Sequence, residues 1–214
     1  MTAATPKVRL RFAKHGDLRL ISHHDLVRSL ERMIRRADLP IASTQGFNPR
    51  PKITFSLSLA LGIEGKNEAV EFEFTEPLEP GDVLERLRAE SPAGLEWLCA
   101  EPASGKKVAQ AEAVAYSLPI PEDRIASTRE SLASILGAAA IPYSRQRPDR
   151  IVQLDVRPFL LDADVDSEGH LRFRLSVTNA GTAARPEDII DLLGLGDLLD
   201  LGAVLVRTDV ELAS

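Results

Sequence analysis

Apolar residues recur along this chain with two periods, and the order in which those periods alternate constrains the fold most. Val8, Leu10 and Phe12 alternate with Arg9, Arg11 and Lys14, the two-residue spacing of a strand with one buried face and cations on the other. Leu26, Leu30, Met33, Ile34 and Ala37 then follow the i, i+4, i+7, i+8, i+11 spacing of one helical face. A short strand over 41–44 and another over 53–57 come next. Val70, Phe72 and Phe74 then alternate with Glu71, Glu73 and Glu76, a helix is predicted over 82–90, and a strand over 95–99 closes the half. The remainder runs as a strand over 114–118, a helix over 121–137, short strands over 141–143 and 151–156, a strand over 169–177, a helix over 186–193 and a strand over 203–210. Each half therefore reads approximately as strand, helix, strand, strand, helix, strand. That order predicts an α+β fold of two ferredoxin-like (split β-α-β) halves with antiparallel sheets. The expected divisions are 1–102, a polar linker over 103–112, and 113–214.

A chain of 214 residues, 44% apolar, has enough material for such cores without covalent staples. Its single cysteine, Cys99, rules out an internal disulfide and fits a reducing compartment. Lying behind Trp97 and Leu98 in a strand, Cys99 is expected to be a buried structural thiol. No apolar run reaches the length of a membrane span and the N-terminus lacks the apolar core of a signal peptide, so a cytoplasmic protein is expected. No cofactor or metal site is expected, since no ligand set with suitable spacing is visible.

The net charge of −6 is unevenly spread. Residues 1–52 hold eleven cations against four carboxylates, a net of +7, which leaves −13 for the rest. Such asymmetry creates a local positive field on an acidic protein, although a solvated helix face would give the same count. Much of it comes from the predicted helix over 22–38. Arg28, Arg32, Arg35 and Arg36 occupy its outer positions, Ser22 is placed as N-cap with Asp25 three residues on, and Leu39-Pro40 marks the stop. The loop Gly46-Phe47-Asn48-Pro49-Arg50-Pro51-Lys52 follows. Asn48 and Arg50 both precede prolines and are biased to extended backbone, so the loop is stiff before it meets a ligand. Arg50 and Lys52 can each engage a phosphate and Phe47 can stack on a base; the alternative is a structural turn with Phe47 in the core.

A second basic cluster comprises Arg145, Arg147, Arg157 and, at a helix start, Arg185. The one histidine pair, His23-His24, stands at the head of the first helix. Adjacent helical residues diverge by about a hundred degrees, so the two cannot readily share a metal or a substrate atom. His23 is a weak candidate for a general base, with capping or a surface hydrogen bond as the plainer role. No glycine-rich nucleotide fingerprint is present, because Gly62, Gly65 and Gly81 are wrongly spaced.

Arg9-Leu10-Arg11-Phe12-Ala13-Lys14, Ser22-His23-His24-Asp25-Leu26, Leu30-Glu31-Arg32, Arg35-Arg36-Ala37, the run Gln45 to Ile53, Leu61-Gly62, Asp155-Val156-Arg157-Pro158 and Arg185-Pro186-Glu187-Asp188 together resemble the radical-SAM-linked protein family. This is a bacterial domain of unknown function, and the likeness covers nearly the whole chain. The resemblance implies a radical SAM protein as partner and supplies no catalytic residue. His23 matches the histidine of the family pattern, whereas His24 departs from it. Cys99 alone cannot hold an iron–sulfur cluster, so radical chemistry would belong to the partner. Three functions are therefore expected in turn: a non-catalytic accessory that binds or presents RNA, tRNA or rRNA, on the basic N-terminal surface; a module that docks the radical SAM partner without nucleic acid; and a metal-free RNA endonuclease with His23 as base and Arg50 or Lys52 stabilising developing charge.

Overall fold

The computed structural model describes residues 6–105, 108–146, 148–178 and 183–213, and the chain divides into two compact units, residues 1–110 with 212–214 and residues 111–211. Unit 1 runs β1 (Lys7–Lys14), α1 (His23–Arg36), β2 (Ile53–Phe55), β3 (Glu64–Glu73), α2 (Pro80–Ala89) and β4 (Leu95–Ala103). Its strands lie in the order β4-β1-β3-β2, with each neighbouring pair antiparallel. Each helix thus joins two strands that have a third between them, which is the split β-α-β arrangement.

Alternation on β1 and β3 buries Val8, Leu10, Phe12, Val70 and Phe72, against which α1 packs Leu26, Leu30, Met33 and Ile34, and α2 packs Val83 and Leu87. Helix α1 starts where Ser22 Oγ accepts the Asp25 N–H at 3.2 Å and donates to Asp25 Oδ2 at 2.7 Å. It ends at Arg36, short of Leu39-Pro40. Asp38 takes a left-handed φ of 51°, the Leu39 N–H reaches the Ile34 carbonyl and the Asp38 N–H reaches that of Arg35. This is a Schellman closure with aspartate in place of glycine.

Three expectations for unit 1 need correction. Lys14 is not on the outer face of β1; at 1% exposure it is buried, because two-residue alternation puts it on the side of Phe12. Cys99 is exposed. Phe12 pairs with Trp97 while Arg11 pairs with Cys99, so Leu98 is the extra residue of a β-bulge that reverses the facing of everything after it. Residues Gly16–Leu20, between β1 and α1, form a 3-10 turn. The linker is also shorter than expected, since Ala103 ends β4 and Ala111 opens β5.

Unit 2 runs β5 (Ala111–Pro119), α3 (Glu122–Gly137), β6 (Pro142–Gln146), β7 (Ile151–Asp155), β8 (Leu160–Val165), β9 (His170–Ser176), α4 (Pro186–Leu192), α5 (Gly196–Asp200) and β10 (Val206–Leu212). Its sheet order is β10-β5-β9-β8, the same split topology. Val114, Tyr116 and Leu118 face Leu175, Phe173 and Leu171 across β5 and β9, and the Tyr116 and Phe173 rings stack at 5.3 Å. The strands expected over 141–143 and 151–156 are not members of this sheet; they pair with each other as the separate β6-β7 hairpin. The sheet strand in their place is β8. An irregularity between Leu160 and Asp162 leaves its buried residues, Leu160 and Val165, five apart, so no two-residue alternation shows in the sequence. Among the described residues no helix is long and apolar enough to cross a membrane.

Candidate functional site

The strand cations of unit 1 are largely neutralised by their neighbours. Arg9 and Glu71 are cross-strand partners joined at 3.0 Å, and Arg9 also meets Glu101 at 3.0 Å. Lys52 Nζ lies 2.6 Å from Glu73 Oε1. The carboxylate row of β3, which by itself would repel phosphate, is therefore balanced by cations on either side. On α1 the four arginines divide. Arg36 donates to the Glu90 carboxylate at 2.7 Å and to its carbonyl at 2.9 Å, bracing α1 to the end of α2. Arg28 makes only a loose pair with Asp25 at 3.6 Å, and Arg32 and Arg35 are exposed with no side-chain partner among the described residues.

The loop beyond α1 is closed by its own backbone. The Thr44 N–H donates to the Arg50 carbonyl at 2.8 Å, the Arg50 N–H donates to Thr44 Oγ1 at 3.0 Å, and Ser43 bridges Pro51. Gly46, with φ of 132°, makes the turn that non-glycine residues resist. Residues 45–49 are left as a projecting tip. Phe47 is 106% exposed, so the core-packed alternative for this ring is excluded, and Asn48 and Arg50 are exposed beside it. A cleft of about 590 Å³ opens at the root of the tip, walled by Ser43, Thr44, Gly46, Pro49, Lys52 and Glu73. A second of about 290 Å³ shares Thr44, Lys52 and Glu73 with it. Sequence reading missed the part of Thr44 and Glu73 in this site. Glu73 looked like one member of an acidic strand face, and only the pairing of β2 with β3 brings Lys52 against it.

His23, the first residue of α1, packs its ring edge-on to Phe55 at 4.9 Å, with Nδ1 buried and unpartnered among the described residues. Burial chiefly, then the charges of His24 and Lys14, hold its pKa below the ordinary value of 6.5. Lys14 and Glu68, both 1% exposed, lie at this end of the core. Gly65 makes room for Glu68, since a Cβ there would lie 2.6 Å from the glutamate side chain. Arg50 and Lys52 are not gathered around His23. They precede Phe55 by five and three residues, about 16 and 10 Å of extended chain, and Lys52 is turned to Glu73.

In unit 2 the expected binding cluster is mostly internal bracing. Arg145 is 8% exposed and grips both carboxylate oxygens of Asp188, with a further bond to the Ala183 carbonyl at 2.9 Å. Asp188 also accepts the Arg185 N–H at 2.7 Å, so one carboxylate ties the β6-β7 hairpin to the start of α4. Arg157 donates to the Leu160 and Leu136 carbonyls, and Asp155 accepts the Ile141 and Arg157 N–H groups, which makes Asp155-Val156-Arg157-Pro158 a structural corner. Arg185 is exposed. Arg147 lies outside the described residues. Tyr143 donates to Asp191 at 2.9 Å, and its burial and that bond push its pKa up to about 12. Asp166, Glu168 and His170 come within 4.8 Å of one another in the β8-β9 turn. Asp166 there accepts the Glu168 and His170 N–H groups and pairs with Arg172 at 2.7 Å, so it serves the turn.

A family model described as "Uncharacterized protein conserved in bacteria (DUF2344)" matches residues 7–186. The chain belongs to that family. Membership places it in a bacterial domain of unknown function and assigns no chemistry. No curated protein matches the chain. Among solved structures, a chain of a Cbf5-Nop10-Gar1 complex is similar at 16% identity and a TM-score of 0.40, over 96% of this chain and 49% of that one, so this chain spans about half its length. A protein described as a glycine cleavage system transcriptional repressor is similar at 11% identity and a TM-score of 0.27, over 94% of this chain and 95% of that one.

Proposed function

We propose that this DUF2344 protein is a cytoplasmic, non-catalytic accessory to a radical SAM enzyme, and that it holds an RNA substrate on the outer face of α1 and the 44–50 loop. The observation that carries the reading is Phe47, a wholly exposed aromatic at the tip of a backbone-closed loop, with Arg50 beside it. An exposed aromatic ring gains most when a flat apolar surface covers it, and a nucleobase offers that face while arginines meet the adjoining phosphates. Arg28, Arg32 and Arg35 add cations that no internal carboxylate holds tightly. Resemblance of the motifs to the radical-SAM-linked family supports the choice of partner. The spread of His23, Arg50 and Lys52 along the chain does not favour RNA cleavage.

Filter binding of the intact protein to tRNA and rRNA fragments at low and moderate salt tests the RNA part. Binding that weakens steeply with salt and is lost on reversing Arg32, Arg35 and Arg50 is expected, because each phosphate contact releases condensed counterions. No binding at low salt, or binding indifferent to those reversals, defeats it. The partner part is tested by co-expression with the radical SAM protein and purification with and without nuclease. A complex that survives nuclease with unchanged yield, in a protein that binds no RNA, would favour docking without nucleic acid.

A further inference from the structure

We infer that the RNA bound here is a paired stem with an unpaired tail, its stem phosphates on α1 and its first unpaired base on Phe47, an inference that rests on the RNA reading above. The cations of α1 form one narrow row. At about 100° and 1.5 Å per residue, Arg28, Arg32 and Arg35 fall within about 60° of the helix circumference and about 10 Å of its length. All three are exposed, with Asp25 to one side of the row in a loose 3.6 Å pair with Arg28, and Glu31 half-buried on the other. The row has a direction relative to the loop. Helix α1 starts at His23, whose ring lies against Phe55 at the end of β2. Its last turn closes through the Leu39 N–H on the Ile34 carbonyl, two residues before Ile41 bridges Phe74 just past the end of β3. Because β2 and β3 are antiparallel, β2 begins at that same end of the sheet, where the Thr44–Arg50 closure holds the loop. Arg35 is therefore the arginine of the row nearest to the loop, and Arg28 the farthest.

The row and the ring suit different parts of one RNA. Proteins that track single strands offer several rings in a groove, on which successive bases stack. Among the described residues Phe47 is the one phenylalanine, tyrosine or tryptophan that is exposed, so this surface stacks a single base. The remaining contacts are to phosphates. Helix α1 roots its three guanidinium side chains at fixed spacing, and a flexible strand would lose freedom in setting its phosphates against them. A paired stem holds its phosphates in place already, and paired RNA is recognised through shape and backbone, its deep major groove being closed to side chains. Phe47, in contrast, needs a base with a bare face, which stacking within the stem withholds and the nucleotide beyond the last pair provides. A stem along α1 with its tail at the loop satisfies both, and sets the opening of the stem past Arg35.

Fluorescence anisotropy of the intact protein tests this with labelled RNAs matched in number of phosphates: an unpaired strand, a blunt stem, and a stem with a short tail, made once with the tail 5′ and once with it 3′. The better tailed stem should bind about tenfold tighter than the blunt stem or the unpaired strand, the scale of one stacked base. Phe47→Ala should remove that advantage. Shortening the stem while keeping the tail should make Arg28→Ala silent before Arg35→Ala. The comparison of RNAs needs no variant, so it decides the matter even if a substitution lowers the melting temperature. A blunt stem or an unpaired strand bound as tightly as the better tailed stem overturns the assignment and leaves the RNA reading standing. A tail advantage that survives Phe47→Ala, or Arg35→Ala falling silent first, overturns the placement of the tail on the loop. Absence of binding to any of these RNAs at low salt overturns both readings.

Discussion

Units 1 and 2 share one topology and both brace themselves with arginine, but unit 1 leaves several of its arginines together on one outer face. In unit 2 the best-placed arginines are spent internally: Arg124 grips Asp197 at 2.6 and 2.7 Å, Arg145 grips Asp188, and Arg174 joins Glu211 and Asp162. Ten arginines against seventeen carboxylates leave this unit at −7, and unit 1 at +1. Unit 1 is nearly neutral, yet its positive charge is not evenly cancelled. Cross-strand glutamates hold Arg9 and Lys52, whereas Arg28, Arg32, Arg35 and Arg50 face outward. Cation counts therefore do not locate a binding surface. What matters is whether the antiparallel register sets a carboxylate opposite each cation. β1 and β3 do so for Arg9, and the outer face of α1 does not for Arg32 and Arg35.

Substitutions in the two units should divide along this line. The largest effect belongs to Arg145→Ala. Removing one member of a buried ion pair leaves Asp188 charged and unmatched, which costs about 3–5 kcal/mol, read as a lower urea midpoint with RNA binding by the folded fraction unchanged. Loss of RNA binding without loss of stability would show instead that Arg145 is a contact. Combined reversal of Arg32, Arg35 and Arg50 should do the opposite. Stability should stay within about 0.5 kcal/mol, as for surface changes generally, while the slope of log K against log salt should fall by about one per phosphate contact removed.

Phe47→Ala should lower affinity by about 1–3 kcal/mol, the range for one stacked base, with no change in melting temperature, since the ring touches no core. Arg50→Ala should weaken binding on a similar scale of about 1–3 kcal/mol, and Arg50→Lys should restore only part, because an ammonium lacks the planar fork. A marked drop in melting temperature for either would make the loop a brace like those of unit 2.

The smallest effect concerns His23. Its folded pKa lies below 6.5, so below that pH the unfolded chain binds a proton that the folded protein refuses, and stability falls as pH drops from about 6.5 toward the lowered folded value. Urea midpoints measured across that window should show the decline, and His23→Phe should flatten it. An unchanged slope in His23→Phe would assign the titration elsewhere.

Local pattern determined the elements that bury one regular face. The core stripe of α1, its Ser22 cap, the inward residues of β3 and the split β-α-β order were all legible, because side-chain facing in a helix or an unbroken strand follows from spacing alone. Wherever one residue was added to a strand, that logic failed. The bulge at Leu98 turned Cys99 outward, and the irregularity after Leu160 hid β8. The candidate site was half legible. Gly46 and the two X-Pro steps marked a stiff loop, and the arginines of α1 were visible as cations. Their fates were not, because whether Arg36, Lys52 or Arg145 is a brace depends on Glu90, Glu73 and Asp188, which lie 54, 21 and 43 residues away in the chain. Pairing across such distances is set by sheet register and helix packing, which no short stretch of sequence contains. Only the folded chain decides which cations are already spent.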